Sequence, residues 1–207
     1  MRVRVKVCGI TRMQDALAAA ELGVDAVGFN FVPESPRCVC LATARAISDA
    51  LPPQVDRVAV VVNPTAESLT RVAREAGVNR FQFHGEESPE ECAASPLPWF
   101  KAFRIGPGFA LDALERYDAP EHLLDAFHHS ARGGTGDLAD WSVAAQAARR
   151  FRIILAGGLD PENILSAVET VKPVAVDVNS GVESAPGVKD HALLARFMAR
   201  LTDGGYR

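Results

Sequence analysis

The sequence predicts an α/β fold, a (β/α)8 TIM barrel in which residues 1–207 form a single domain with short helices. Eight short apolar runs punctuate the chain, and a helical pattern follows each one. Strands connected in this way lie parallel, with helices crossing between them. The chemically unusual residues recur at or just past the ends of the runs, where barrels of this class place their active sites. No linker-like segment divides the chain, and 207 residues is short for eight units, so helices must be brief and loops trimmed. A doubly wound open sheet is the runner-up, but it needs a reversal of strand order that nothing in the chain marks.

The first strand and its turn occupy residues 3–11. Side-chain alternation sets Val3, Val5 and Val7 on one face, beneath a helical stretch at 12–22, and Arg4, Lys6 and Cys8 on the other. Two cations and a thiol suit no ordinary core, because buried charges need partners. The second strand, 25–31, ends at Asn30 and Phe31, and turn formers fill 32–37. A helix at 41–51 is closed by Pro52 and Pro53. The third strand is the continuous apolar run within 57–62, and Asn63-Pro64-Thr65 opens a helix to residue 76. The fourth, 80–83, ends in His84-Gly85, and Ser88-Pro89-Glu90 suits the start of a short helix at 88–93. A fifth strand at 99–103 leads through a glycine-proline turn to a weak helix at 110–116, and the sixth is 121–125. Residues 127–139 are the longest stretch without a pattern and hold His128, His129 and Gly133-Gly134-Thr135-Gly136. Loops of that length in compact domains are usually functional or mobile. Asp140 can cap a helix at 141–150, the seventh strand and its helix follow at 152–155 and 161–168, and the eighth strand at 174–177 precedes a last helix from about 188 to 201.

Composition narrows the class. Apolar residues make up 48% and charged residues 23%, ordinary values for a globular protein. No apolar run approaches the length of roughly 18 residues that a membrane-spanning helix needs. The charged, strand-like start is unlike a secretory signal, which places the protein in the cytoplasm. A net charge of −4 argues against nucleic acid or anionic membrane as a partner. The four cysteines, Cys8, Cys38, Cys40 and Cys92, form no disulfide or metal framework; Cys38 and Cys40 are separated by one residue, too close for the usual redox and zinc spacings.

Cys8, Asn30, His84, Arg104, Asp125, Gly157, Gly158 and Asp177 all fall at strand ends, so a barrel brings them onto one rim. Singly, each has a plainer reading: a small core thiol, a loop cap, a local hydrogen bond. Gly157-Gly158 and Ser180-Gly181 follow strands seven and eight, where this fold often holds a phosphate on backbone N–H groups, although glycines there also simply make tight turns. His128 and His129 point apart on most backbones and have no third ligand at metal spacing, so no metal is expected.

Seven segments then carry a resemblance: Lys6-Val7-Cys8-Gly9-Ile10-Thr11, Phe31-Val32-Pro33-Glu34-Ser35-Pro36-Arg37, Gln82-Phe83-His84-Gly85-Glu86, Leu123-Leu124-Asp125, Gly133-Gly134-Thr135-Gly136 with Asp140-Trp141, Leu155-Ala156-Gly157-Gly158-Leu159, and Asp177-Val178-Asn179-Ser180-Gly181-Val182-Glu183. In order and nearly end to end, the chain resembles the phosphoribosylanthranilate isomerases, the Amadori enzymes of tryptophan biosynthesis. The resemblance implies a reaction without cofactor, in which Asp125 as general acid protonates the ribose ring oxygen and Cys8 as general base removes the C2′ proton. It further implies that Arg37 anchors the anthranilate carboxylate, that His84 and Asp177 orient substrate or neighbouring groups, and that Gly157, Gly158, Ser180 and Gly181 hold the phosphate. The partner would be a phosphorylated small molecule, and the protein a monomer or homodimer.

Proton transfer works best near ambient pH, so the carboxyl must be raised and the thiol lowered from their free values. Lys6 shares the inward parity of Cys8 and either lowers the thiol's pKa, anchors an anion, or partners a carboxylate deeper in the barrel. The isomerase of histidine biosynthesis, the nearest rival, uses a carboxylate where Cys8 stands. A catalytically silent phosphate-binding barrel would need only the glycine loops.

Overall fold

The two faces of the first strand go to two different interiors. In the computed structural model, which describes residues 2–106, 108–126 and 141–207, eight parallel strands close in sequence order: β1 (Arg4–Val7), β2 (Ala26–Asn30), β3 (Asp56–Val61), β4 (Arg80–Phe83), β5 (Trp99–Arg104), β6 (His122–Asp125), β7 (Ile153–Ala156) and β8 (Ala175–Val178). β1 pairs with β2 on one side and β8 on the other, which closes the barrel and rules out the open sheet. Val3, Val5 and Val7 face outward and are fully buried under the helices. Inward-facing Val58, Phe100, Ala102, Leu123, Ile154, Ala156 and Ala175 form a separate, smaller core within the barrel. The inward cations find partners, as burial demands. Glu121, at the floor, gathers Arg4, Arg80 and Arg152.

The connecting helices are α1 (Met13–Glu21), α2 (Leu41–Ala50), α3 (Ala66–Glu75), α4 (Pro89–Ala93), α5 (Asp112–Glu115), α6 (Ser142–Ala148), α7 (Ile164–Val171) and α8 (His191–Asp203). Thr65 caps α3 by accepting from the Ser68 N–H, and Ser88 with Glu91 forms a capping box on α4. α8 buries Leu194, Phe197, Met198 and Leu201. That is the i, i+3, i+4, i+7 stripe of an amphipathic helix, and each such side chain contributes about 1.5–3 kcal/mol.

Two segments depart from the sequence-based expectation. Where the last helix is expected from about residue 188, the chain first forms a hairpin over 183–189, β9 (Glu183–Ala185) and β10 (Val188–Lys189), turned at Gly187 with φ +78. α8 begins only after Asp190, whose carboxylate accepts from the N–H groups of Ala192 and Leu193. α7 starts three residues late because Asp160 accepts from the N–H groups of Glu162 and Asn163 and holds a turn there. The expectations for the stretch 127–139, including His128, His129 and the glycines, and for capping by Asp140 fall outside the described residues. Among those described, no helix is long and apolar enough to cross a membrane.

Candidate active site

Parallel pairing of β1 with β8 sets Lys6 opposite Asp177, and Lys6 Nζ donates to Asp177 Oδ2 at 2.8 Å. Cys8 lies just past β1 on the same inward face and is buried. Next door, β2 presents no side chain at Gly28. A Cβ there would stand 2.8 Å from Cys8 Sγ and 3.1 Å from both Cε and Nζ of Lys6. The thiol and the ammonium therefore rest against bare backbone.

A cavity of about 460 Å³ opens at the C-terminal ends of the strands. It is lined by Cys8, His84, Asp125, Gly157, Gly158, Asp177 and Ser180, so seven of the nine site residues expected from the sequence share one space. The rim residues Asn30 and Arg104 line it too. Gly157 and Gly158 have φ +99 and +65, which turn the backbone over the end of β7. Gly181 does not line the cavity; a Cβ there would come within 2.0 Å of the Leu159 carbonyl oxygen, so its role is to let the turns after β7 and β8 touch.

Arg37 also stands outside the lining. Its Nε donates to Glu183 Oε1 and Oε2 at 3.0 and 3.1 Å, and Nη2 donates to Oε2 at 2.6 Å. The expected free guanidinium is thus half used, because Glu183 reaches it from a hairpin that the sequence did not show. Lys189 on β10 completes the group, with Nζ 2.8 Å from Glu183 Oε1. Sequence reasoning also passed over Gln82, whose Nε2 lies 2.8 Å from His84 Nδ1 and whose buried Oε1 has no described partner. Alternation with Phe81 and Phe83, which sets Gln82 on the same face as His84, was the signal that could have found it.

Burial pushes the Cys8 thiol above its ordinary value; Lys6 opposes it, Asp177 adds to it, and burial wins. The expectation that Lys6 sets a low thiol pKa is met only as an opposing pull. Burial disfavours the Lys6 ammonium as well, but Asp177 and Cys8 outweigh it and hold Lys6 above its ordinary value. Lys6 is therefore an ion-pair partner, and its carboxylate lies level with it rather than deeper. Burial pushes His84 down to about 4, which leaves a neutral imidazole at neutral pH. The arrangement can move protons between a buried thiol, a carboxyl and a bound molecule, and it offers polar backbone turns at one end.

The model of the N-(5'phosphoribosyl)anthranilate (PRA) isomerase family matches residues 5–200. A relative from Geobacter sulfurreducens named N-(5'-phosphoribosyl)anthranilate isomerase is 47% identical over 198 residues, 96% of this chain and 98% of its own length. The solved phosphoribosylanthranilate isomerase of Thermotoga maritima is 43% identical and superposes with a TM-score of 0.87 over 97% of this chain and 99% of that one. Another solved isomerase, in complex with reduced 1-(o-carboxyphenylamino)-1-deoxyribulose 5-phosphate, is 42% identical with a TM-score of 0.84, covering 97% and 99%. The likeness extends through every strand that contributes to the cavity, and the chain belongs to the N-(5'-phosphoribosyl)anthranilate isomerase family.

Proposed function

We propose that the protein is an isomerase of tryptophan biosynthesis that converts N-(5′-phosphoribosyl)anthranilate to 1-(2-carboxyphenylamino)-1-deoxyribulose 5-phosphate by general acid–base catalysis, acting in the cytoplasm. The observation that carries the assignment of roles is that Cys8 and Asp125, far apart in sequence, face one cavity beside the glycine turns. Asp125 gives a proton to the ring oxygen as the C1′–O bond breaks and the anilinic nitrogen's lone pair forms an iminium. Cys8 as thiolate takes the C2′ proton, the electrons of that bond form C1′=C2′, and the iminium nitrogen becomes neutral. The resulting enol takes a proton at C1′ and releases its hydroxyl proton, giving the ketone. No atom is gained or lost. A thiol raised by burial becomes a base once the iminium stands beside it, since that cation adds to the pull of Lys6.

Gly157, Gly158 and Ser180 take the phosphate, with Gly181 holding the two turns in contact, and Arg37 takes the anthranilate carboxylate. His84 and Asp177, whose buried Oδ1 has no described partner, accept or orient the ribose hydroxyls. The test follows the fluorescence of phosphoribosylanthranilate as it disappears, in the parent, Cys8→Ser and Asp125→Asn. The parent turns over, and each variant loses about 100-fold or more in kcat, the scale of one general acid or base. Parental activity surviving in both would sink the assignment.

A further inference from the structure

A fully buried lysine stands behind the arginine assigned to the substrate carboxylate. The Lys189 side chain has 0% exposure and Glu183 has 4%. Lys189 Nζ donates to Glu183 Oε1 at 2.8 Å, to Asn179 Oδ1 at 3.0 Å and to the Asn179 carbonyl at 3.1 Å. Glu183 Oε1 also accepts from the Gly187 N–H at 3.2 Å. The Arg37 chain lies over Gly9 and Asn179, where its Cδ would meet a Cβ placed on Gly9 at 2.7 Å.

Desolvating an ammonium costs several kcal/mol, and a neutral donor could satisfy Glu183 in the same place. What only a lysine adds is charge. Without it, Arg37 and Glu183 would be a neutral bidentate pair, and an approaching carboxylate would meet as much repulsion as attraction. With it, two cations share one carboxylate, and the group keeps one unit of positive charge. The guanidinium edge that Glu183 leaves open, at Nη1, then faces an anion with a net favourable field. Asn179, which accepts from Lys189, lines the cavity, which places the group at the edge of the site and not behind it.

We infer that Lys189 is a positioning and charge-balancing residue for substrate binding: it offsets Glu183 so that Arg37, held in place by that carboxylate, still attracts the carboxylate of the aromatic amine. The inference rests on the assignment of Arg37 to that carboxylate. It concerns affinity and not the chemical step.

Steady-state kinetics on the intact protein with phosphoribosylanthranilate test it in Lys189→Met, Lys189→Met/Glu183→Gln and Arg37→Met. Lys189→Met raises KM about tenfold or more, the scale of one hydrogen bond to a charged group, and leaves kcat within about twofold. The double variant restores the positive charge and recovers most of that loss, which a merely structural lysine would not allow. Should Lys189→Met fail to fold, the double variant, with no lone buried charge, carries the test, and a KM as high as that of Arg37→Met overturns the inference. So does an unchanged KM in Lys189→Met, a loss confined to kcat, or a double variant no better than the single. If Arg37→Met itself binds like the parent, the assignment of Arg37 falls; if it binds weakly while Lys189→Met does not, only the role of Lys189 falls.

Discussion

Gly28 shows how one missing side chain shapes the site. Its φ is not positive, so the backbone does not require glycine, and glycine weakens a strand interior. The reason is space: Cys8 Sγ and the end of Lys6 occupy the volume a methyl would fill. In Gly28→Ala the thiol and ammonium must move, and a displacement of about an ångström at a reacting group is enough to cost up to 100-fold in rate. The expected outcome is a fall in kcat/KM of about 10- to 100-fold with a melting temperature within a few degrees of the parent's, measured by assay and thermal melt. Parental kcat/KM in a folded Gly28→Ala would remove this account. Parity along β1 was enough to set Lys6 and Cys8 facing inward. The need for Gly28 was not legible, because it depends on a neighbouring strand in register, and one strand's sequence carries no register.

At the scale of elements, local chemistry decided what could be foreseen. Ser88-Pro89-Glu90 announces α4, and Asn63-Pro64-Thr65 announces α3, because a cap and its helix are adjacent in sequence. The hairpin β9–β10 is too short to show alternation, and its apolar and charged residues merge with the pattern of α8. Asp190 marks the boundary, accepting at 2.9 and 3.0 Å from Ala192 and Leu193. Missing that boundary hid Lys189 and left Glu183 a motif letter without a role, which is why Arg37 looked free. Asp190→Ala removes the cap of the longest described helix. It should cost about 1 kcal/mol and lower the melting temperature by roughly 2–4 °C in a chain of this size. Calorimetry checks it, and an unchanged melting temperature would mean that α8 is held by its apolar stripe alone.

Across the whole molecule, the barrel was legible because its rule is global and repetitive: eight alternations of strand and helix leave few ways to bury both faces of a parallel sheet. The protonation of the interior was not, since it follows from depth, which appears only when the chain is closed. His122 on β6 points outward from the barrel into the outer core. It lies edge-on between Phe103 and Phe151, with ring centroids 5.7 and 5.6 Å away, and its buried Nδ1 has no described partner. Burial pushes His122 down to about 4 from its ordinary 6.5, and His84 falls to about 4 as well, chiefly through burial. A histidine whose folded pKa is depressed binds its proton more readily when unfolded. The stability it contributes is therefore complete above pH 6.5 and is lost as the pH falls towards 4. The ceiling for His122 is on the order of 3 kcal/mol. Urea midpoints measured from pH 7.5 to 4.5 should fall in the parent before the carboxylates begin to protonate. In His122→Leu, which keeps the apolar contacts and cannot titrate, the fall should be about half as steep, with His84 supplying the remainder. An equal slope in both proteins would show that His122 takes up its proton without unfolding, and that the aromatic cage around it opens to water.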